Sequence, residues 1–193
     1  MDAICIKDLK KDLKREMDDS RYEHTLGVMY TSAALAMRYE YDMERAMLAG
    51  LMHDCAKCIP NAKKLKLAEK NGLEITELER NNPFMLHAKV GAMLAKVKYD
   101  IDDEAVLGAI RWHTTGKPGM NLLEKIVYVA DYIEPRRDKA PNLKEIRKLA
   151  FMDLDLALLK ILEDTLGYLG DSPEEVDSMT RETYEYYNAQ IKG

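Results

Sequence analysis

Along most of the chain the apolar residues return every three or four positions, the period of an α-helix buried on one side. Tyr22, Leu26, Met29, Ala33 and Met37 form one such stripe and predict an amphipathic helix over residues 21–39. Tyr41-Asp42 offers a cap for the next, 43–54, whose body Ala46-Met47-Leu48-Ala49-Gly50-Leu51-Met52 is apolar. Ile59-Pro60-Asn61 redirects the chain. Residues 61–70 are basic and helical and stop at Asn71-Gly72. Pro83 opens a helix that carries His87, Val90, Gly91, Leu94 and Val97, and Asp102-Asp103 caps one that runs to His113. Residues 122–133 are apolar and closed by Glu134-Pro135. Residues 143–149, 153–169 and 173–191 complete the set, the last announced by Asp171-Ser172-Pro173. Runs of alternating Val, Ile and Thr, the mark of a sheet, are not found. The pattern predicts an all-α fold of roughly nine helices. Residues 8–17, charged apart from Leu9 and Leu13, read as a surface helix, so residues 1–19 form an N-terminal surface helix and 20–193 a single helical domain.

Composition narrows the picture. A chain of 193 residues is long enough for one well-buried domain. Gly (10) and Pro (6) are scarce, which favours helix, and the formal charge of −5 argues against a general affinity for nucleic acid. Cys5, Cys55 and Cys58 make an odd set that suits a reducing compartment. The N-terminus lacks a basic segment followed by an apolar run, and no stretch approaches the ~20 apolar residues of a membrane span. A cytoplasmic protein with no membrane partner is expected. Tyr184, Tyr186 and Tyr187 on the last helix can pack on their own core or against a second subunit, so a homodimer is open.

All four histidines stand where a metal site can be built: His24, His53 followed at once by Asp54, His87, and His113. Asp131 interrupts an apolar helix between Ala130 and Tyr132, and a buried carboxylate needs a partner. Neutral imidazole with carboxylate holds iron, zinc or manganese while leaving positions for water, and water so activated can attack phosphorus. Taken singly, a histidine is more often a surface or hydrogen-bonded core residue than a ligand; the set is what points to a metal. His53 and Asp54 diverge by about 100° on a regular helix, so both reach one ion only at a helix end. Lys57, three residues after Asp54, lies on roughly the same face and can bind a phosphate oxygen. Thr114, Thr115 and Gly116 form a loop beside His113 whose hydroxyls and N–H groups can meet a phosphate. Arg136 and Arg137 can clamp one, Arg136 being the preferred candidate. Trp112 reads as core rather than base-stacking, and the Cys55-Ala56-Lys57-Cys58 pair as incidental, with no second pair to complete a zinc knuckle.

The spacing H…HD…D, over His24, His53-Asp54 and Asp131, resembles the HD superfamily of metal-dependent phosphohydrolases. The blocks Arg21-Tyr22-Glu23-His24-Thr25-Leu26-Gly27-Val28, His53-Asp54-Cys55-Ala56-Lys57, Ala109-Ile110-Arg111-Trp112-His113-Thr114-Thr115-Gly116 and Glu124-Lys125-Ile126-Val127-Tyr128-Val129-Ala130-Asp131-Tyr132-Ile133-Glu134-Pro135 are similar to the bacterial YqeK family within it. That resemblance implies an all-helical HD-type domain, bound iron, and symmetrical hydrolysis of diadenosine tetraphosphate to two ADP. It implies His24, His53, Asp54 and Asp131 around one metal, and His87 and His113 serving a second with Asp54 as bridge. Asp54 and Lys57 then carry the catalysis, and a small-molecule nucleotide is the partner. Two positions depart from the family pattern. Cysteines 55 and 58 stand where aromatic residues are usual, and Ala88-Lys89 replaces Ala-Pro after His87, which bears on the local helix start and on substrate contacts. Two other readings compete: a nucleotidase acting on mono- or diphosphates, and a module that senses a nucleotide without turning it over. Manganese or another divalent transition metal is compatible with the same ligands.

Overall fold

A computed structural model describes residues 5–170 and 176–192, and among these it contains eleven α-helices and no strand. In order they are α1 (Ile6–Glu16), α2 (Asp19–Arg38), α3 (Met43–Met52), α4 (Asn61–Lys70), α5 (Glu77–Asn81), α6 (His87–Tyr99), α7 (Glu104–Trp112), α8 (Leu122–Ile133), α9 (Leu143–Leu149), α10 (Leu154–Leu169) and α11 (Ser178–Lys192). The all-α expectation holds. Helix starts follow side-chain chemistry: Asp18, Asp42, Asp103, Asn121 and Asp153 each accept a hydrogen bond from a backbone N–H of the first turn.

Helix α8 is the axis of the molecule. Leu123, Ile126, Val127, Tyr128, Val129, Ala130 and Ile133 are all buried, so apolar residues surround it on every side, as a helix enclosed by others requires. Helices α2, α7, α9 and α10 pack on it, and α3 lies against α2, α7 and α8. The α2–α3 contact is close because of Gly50, where a Cβ would stand 2.8 Å from Ser32 Oγ and 3.0 Å from Met29 Cα. A smaller apolar cluster of Ala56, Ala68, Leu86 and Val90 ties α4 to α6.

Four boundaries differ from the periodicity. Helix α3 stops at Met52, and the chain beyond it turns through i to i+3 bonds: Cys55 N to Met52 O at 3.1 Å, Lys57 N to Asp54 O at 2.8 Å, Ile59 N to Ala56 O at 3.2 Å. Pro83 opens a 3-10 turn, Pro83–Leu86, and α6 starts only at His87. Helix α5 has five residues, too few for a stripe, and its sequence signal is a capping box between Thr76 and Glu79. Helix α11 begins at Ser178, while Asp171, Ser172 and Pro173 lie outside the described residues.

Helix α1 does more than coat the surface. Leu9, Leu13 and Met17 are buried in the main core, Leu13 with no exposed area. On α11, Tyr187 is buried and its hydroxyl accepts a hydrogen bond from Met120 N at 2.9 Å, so this tyrosine packs on its own core. No helix among the described residues is long and apolar enough to cross a membrane. Leu13→Ala is expected to cost about 2–5 kcal/mol of stability, read from the urea midpoint. A loss below about 1 kcal/mol would mean that α1 is a detachable appendage.

Candidate active site

Five elements deliver six side chains to one place. His24 comes from the second turn of α2, His53 and Asp54 from the end of α3, and His87 from the start of α6. His113 lies at the end of α7 and Asp131 in the last turn of α8. All four imidazoles and Asp54 are buried, with His53 wholly so. Adjacent rings meet edge to face: His24 and His53 at 5.4 Å between centroids, His53 and His113 at 4.9 Å, His87 and His113 at 5.1 Å.

One local rule aims three of the rings. His53 Nδ1 donates to Gly50 O at 2.7 Å, His87 Nδ1 to Phe84 O at 2.8 Å, and His113 Nδ1 to Ile110 O at 2.7 Å. His53 and His113 each close a helix, so the carbonyl three residues back is free for the ring nitrogen, while Phe84 O accepts both the backbone and the ring N–H of His87. With the proton on Nδ1, the Nε2 lone pair faces inward. His24 is held differently: its Nδ1 lies 3.0 Å from Oε1 of Glu134, a buried carboxylate. Such carboxylate–imidazole pairs orient metal-binding histidines and raise their basicity. Gly27 makes room for it, since a Cβ there would stand 2.4 Å from Glu134 Oε2.

The inward atoms are short of partners. His24 Nε2, His53 Nε2 and Asp54 Oδ1 are buried without a hydrogen bond. His24 Nε2 is 3.0 Å from Asp131 Oδ1, yet the pair is not aligned as a hydrogen bond. His24, His53 and Asp131 form one group whose ligand atoms lie within 4.8 Å of one another, and His53, Asp54 and His113 form a second. The two oxygens of Asp54 serve different neighbours. Oδ1 faces His87 Nε2 at 3.4 Å and His113 Nε2 at 3.5 Å, while Oδ2 faces His53 Nε2 at 3.6 Å. Unpartnered imidazole nitrogens and carboxylate oxygens converging in a buried space fit a divalent metal. A cation already favours this place: Lys57 Nζ sits 3.1 Å from His87 Nε2 and 4.0 Å from Asp54 Oδ1. The tight turn after α3 explains Lys57, because residues three apart eclipse when the chain winds at 3-10 pitch.

Electrostatics set the charge of each side chain in the cluster. Burial pushes the His53 imidazolium down to about 4, and burial with repulsion from His113 and Lys57 pushes His87 down to about 3. Both rings are therefore neutral near pH 7. Burial alone would raise the Asp54 carboxyl, but His53, His113 and Lys57 overcome it and hold the group well below the usual carboxylate range. At Asp131 burial is likewise outweighed, here by His24, His53 and Arg137, and the carboxyl is lowered. His24 moves the other way: burial opposes its charge, but Asp131 and Glu134 raise it.

Arg21 and Glu134, which sequence reasoning left without a role, and Arg137, expected as a possible phosphate clamp, belong to this arrangement. Arg21 NH1 lies 2.8 Å from Asp54 Oδ2, Arg137 NH2 lies 2.9 Å from Asp131 Oδ1, and Glu134 supports His24. Spacing carried the signal for two of them. Arg21 precedes His24 by three residues, and Glu134 follows Asp131 by three, which is one face of a helix in each case. Arg136, the preferred phosphate clamp, is not brought to the cluster: its guanidinium is largely exposed and lies 3.6 Å from Glu23 Oε2. Gly116 is buried at φ +64°, where a Cβ would meet Thr183 Cγ2 at 2.8 Å, so it makes a turn against α11. Cys55 donates its thiol to Gly91 O at 3.5 Å, burial pushes it up to about 12, and Cys58 is exposed. The cysteine pair takes no part in the site.

A cavity of about 440 Å³ opens beside the cluster. Lys57 and His87 lie on its wall, as do Thr114 and Thr115. Trp112, expected in the core, is half-buried and lines the same cavity. Lys89 also borders it, with its ammonium fixed to Glu79 Oε2 at 2.8 Å and Glu74 O at 3.1 Å. It tethers α5 to α6 and leaves His87 in place.

A family model for the HD domain matches residues 21–136, a span that begins at Arg21 and closes just after Glu134. The chain belongs to the HD domain family. A symmetrical bis(5'-nucleosyl)-tetraphosphatase of Bacillus subtilis is 40% identical over 174 residues, which cover 90% of this chain and 92% of that protein. A protein of the same name from Staphylococcus aureus is 34% identical and covers 95% of this chain and 94% of its own. Among solved structures, a predicted HD superfamily hydrolase involved in NAD metabolism from Clostridium acetobutylicum superposes with a TM-score of 0.92. It is 40% identical and covers 96% of this chain and 98% of that one. The resemblance drawn from the motif blocks is thereby confirmed at the level of family. In this HD protein, Gly27→Ala is expected to push Glu134 off His24 and lower divalent-metal affinity about 10–100-fold with the fold retained. Competition with a chelator measures it, and unchanged affinity would remove Glu134 from the metal centre.

Proposed function

We propose that this chain hydrolyses dinucleoside polyphosphates and cleaves diadenosine tetraphosphate symmetrically to two ADP. The observation that carries the reading is the buried cluster of unpartnered Nε2 and carboxylate atoms opening directly onto a cavity that Lys57 and two threonines border. The names borne by the relatives from Bacillus subtilis and Staphylococcus aureus support it.

His24, His53, Asp54 and Asp131 would hold one ion, and His87 and His113, sharing Asp54, would hold a second. The donor set contains only nitrogen and oxygen, which suits iron at six-coordination, with manganese the nearest substitute. Bound there, such an ion polarises phosphoryl oxygens and acidifies water. The protein's own part is positioning and charge. Arg21 pairs with Asp54 Oδ2 and Arg137 with Asp131 Oδ1, the oxygens that also face His53 Nε2 and His24 Nε2, while Asp54 Oδ1 stays free of both. Lys57 has about a third of its side chain exposed at the cavity mouth and can bind a non-bridging oxygen of an inner phosphate. The hydroxyls of Thr114 and Thr115 can take further phosphate oxygens. Water adds to one inner phosphorus, and the oxygen bridging the second and third phosphates departs with the other ADP. That oxygen becomes a stable phosphate anion, so a strong general acid is unnecessary.

Chromatography of the products from diadenosine tetraphosphate tests the reaction, together with elemental analysis of the same sample. Two ADP per substrate and bound iron are expected. ATP with AMP, or no turnover, would overturn the proposal. Asp54→Ala should reduce turnover by more than about 100-fold; full activity in that variant would exclude the cluster from catalysis.

A further inference from the structure

The cavity has a division of labour that the metal cluster alone does not explain. Its polar end is the edge of the cluster, where His87 and Lys57 lie. Its remaining wall carries an apolar stretch, Phe84, Met85, Trp112 and Met179, set among polar side chains that include Glu79 and Thr115. Phe84 and Trp112 are tied by the backbone to the ligands themselves. Phe84 supplies the carbonyl that accepts the His87 Nδ1 proton, at 2.8 Å, and Trp112 immediately precedes His113. The Nε2 atoms of His87 and His113 lie 3.3 Å apart, so the two segments meet at the cluster and carry their aromatic rings away from it along the cavity wall. The Arg111 guanidinium stands 5.0 Å from the Trp112 ring centroid and adds a cation to the same wall. Phe84 is 54% exposed although its neighbour Leu86 is wholly buried. A large ring left open to solvent beside a charged cluster has the chemistry of a stacking surface for a planar base.

Size limits what enters. A volume of about 440 Å³ lies near the lower end of the ~300–1,000 Å³ typical of small-molecule sites. It suits one nucleoside and not two nucleosides joined by a tetraphosphate. Two further hollows, bordered by residues 142–148 and 176–185, contain none of the cluster residues. We infer that the cavity walled by Phe84 and Trp112 takes one nucleoside of the dinucleotide, by stacking, while the other nucleoside stays outside it. A substrate symmetrical in formula is thus read from one end. This inference rests on the hydrolase reading above and adds to it the place where a base binds.

Two consequences follow for substrates. A mononucleoside tetraphosphate has the nucleoside, and the four phosphates, that the cavity and the cluster need. Its KM should fall within about threefold of that for diadenosine tetraphosphate. Removing a ring should weaken binding of both nucleotides and spare the chemistry: Phe84→Ala and Trp112→Ala are each expected to raise KM about 5–100-fold with kcat changed less than about threefold. Trp112→Phe should restore most of the loss. Phe84→Ala guards against a folding artefact, because that side chain lies largely in solvent.

Steady-state kinetics of wild type and the three variants on diadenosine tetraphosphate and adenosine 5'-tetraphosphate decide the matter, with bis(p-nitrophenyl) phosphate as a base-free control. Unchanged KM in both alanine variants would overturn the stacking role. A KM more than about tenfold higher for the mononucleoside tetraphosphate in wild type would show that a second nucleoside is also read, and would overturn the one-ended assignment. Wild-type protein inert toward both nucleotides but active on the control would instead refute the dinucleotide hydrolase reading, a distinguishable failure.

Discussion

The site depends on a short hydrogen bond made three times, from an imidazole Nδ1–H to the carbonyl three residues earlier. A histidine ring has two nitrogens and a rotatable stem, so a free histidine presents either nitrogen in many directions. At the ends of α3 and α7 the backbone offers a carbonyl that helix geometry has left unsatisfied, and at the start of α6 Phe84 O accepts both the backbone and the ring N–H of His87. His53 and His113 take the two free carbonyls. In all three the bond fixes the tautomer and turns the other nitrogen inward. Placing these histidines at helix ends is therefore what aims their Nε2 atoms. His24, in the body of α2, has no spare carbonyl within reach and uses the carboxylate of Glu134 instead.

Charge is distributed with the same logic. Neutral imidazoles need a dry environment, which burial supplies for His53 and His87. Carboxylates need the opposite, and each receives an arginine: Arg21 for Asp54 and Arg137 for Asp131. The arginines come from outside the ring of histidines. They share Asp131 Oδ1 and Asp54 Oδ2 with the imidazoles and leave Asp54 Oδ1 free.

Much of this was legible in the sequence. The all-α class followed from the three-and-four residue stripes, and α4, α8 and α9 begin and end where periodicity puts them. The six residues of the cluster were recognisable as a set because the chain has no other histidine. What stayed hidden has physical reasons. Helix α5 is too short to show a stripe. The stop at Met52 depends on the chain tightening to 3-10 turns, a tertiary choice that brings Lys57 over Asp54. Arg136 and Arg137 are adjacent and chemically equal, and only the geometry after Pro135 sends Arg137 to Asp131 and Arg136 outward to Glu23. Trp112 looks like core by composition; its place at a cavity mouth is set by the packing of α7 beside the turn at Phe84.

The six side chains also span the chain in a way that has a bearing on quality control. They draw on five separate helices, and the packed pair α2–α3 brings together only His24, His53 and Asp54. The cluster is whole only once α6, α7 and α8 have packed on that pair. By linkage, an ion that binds only the finished fold stabilises that fold.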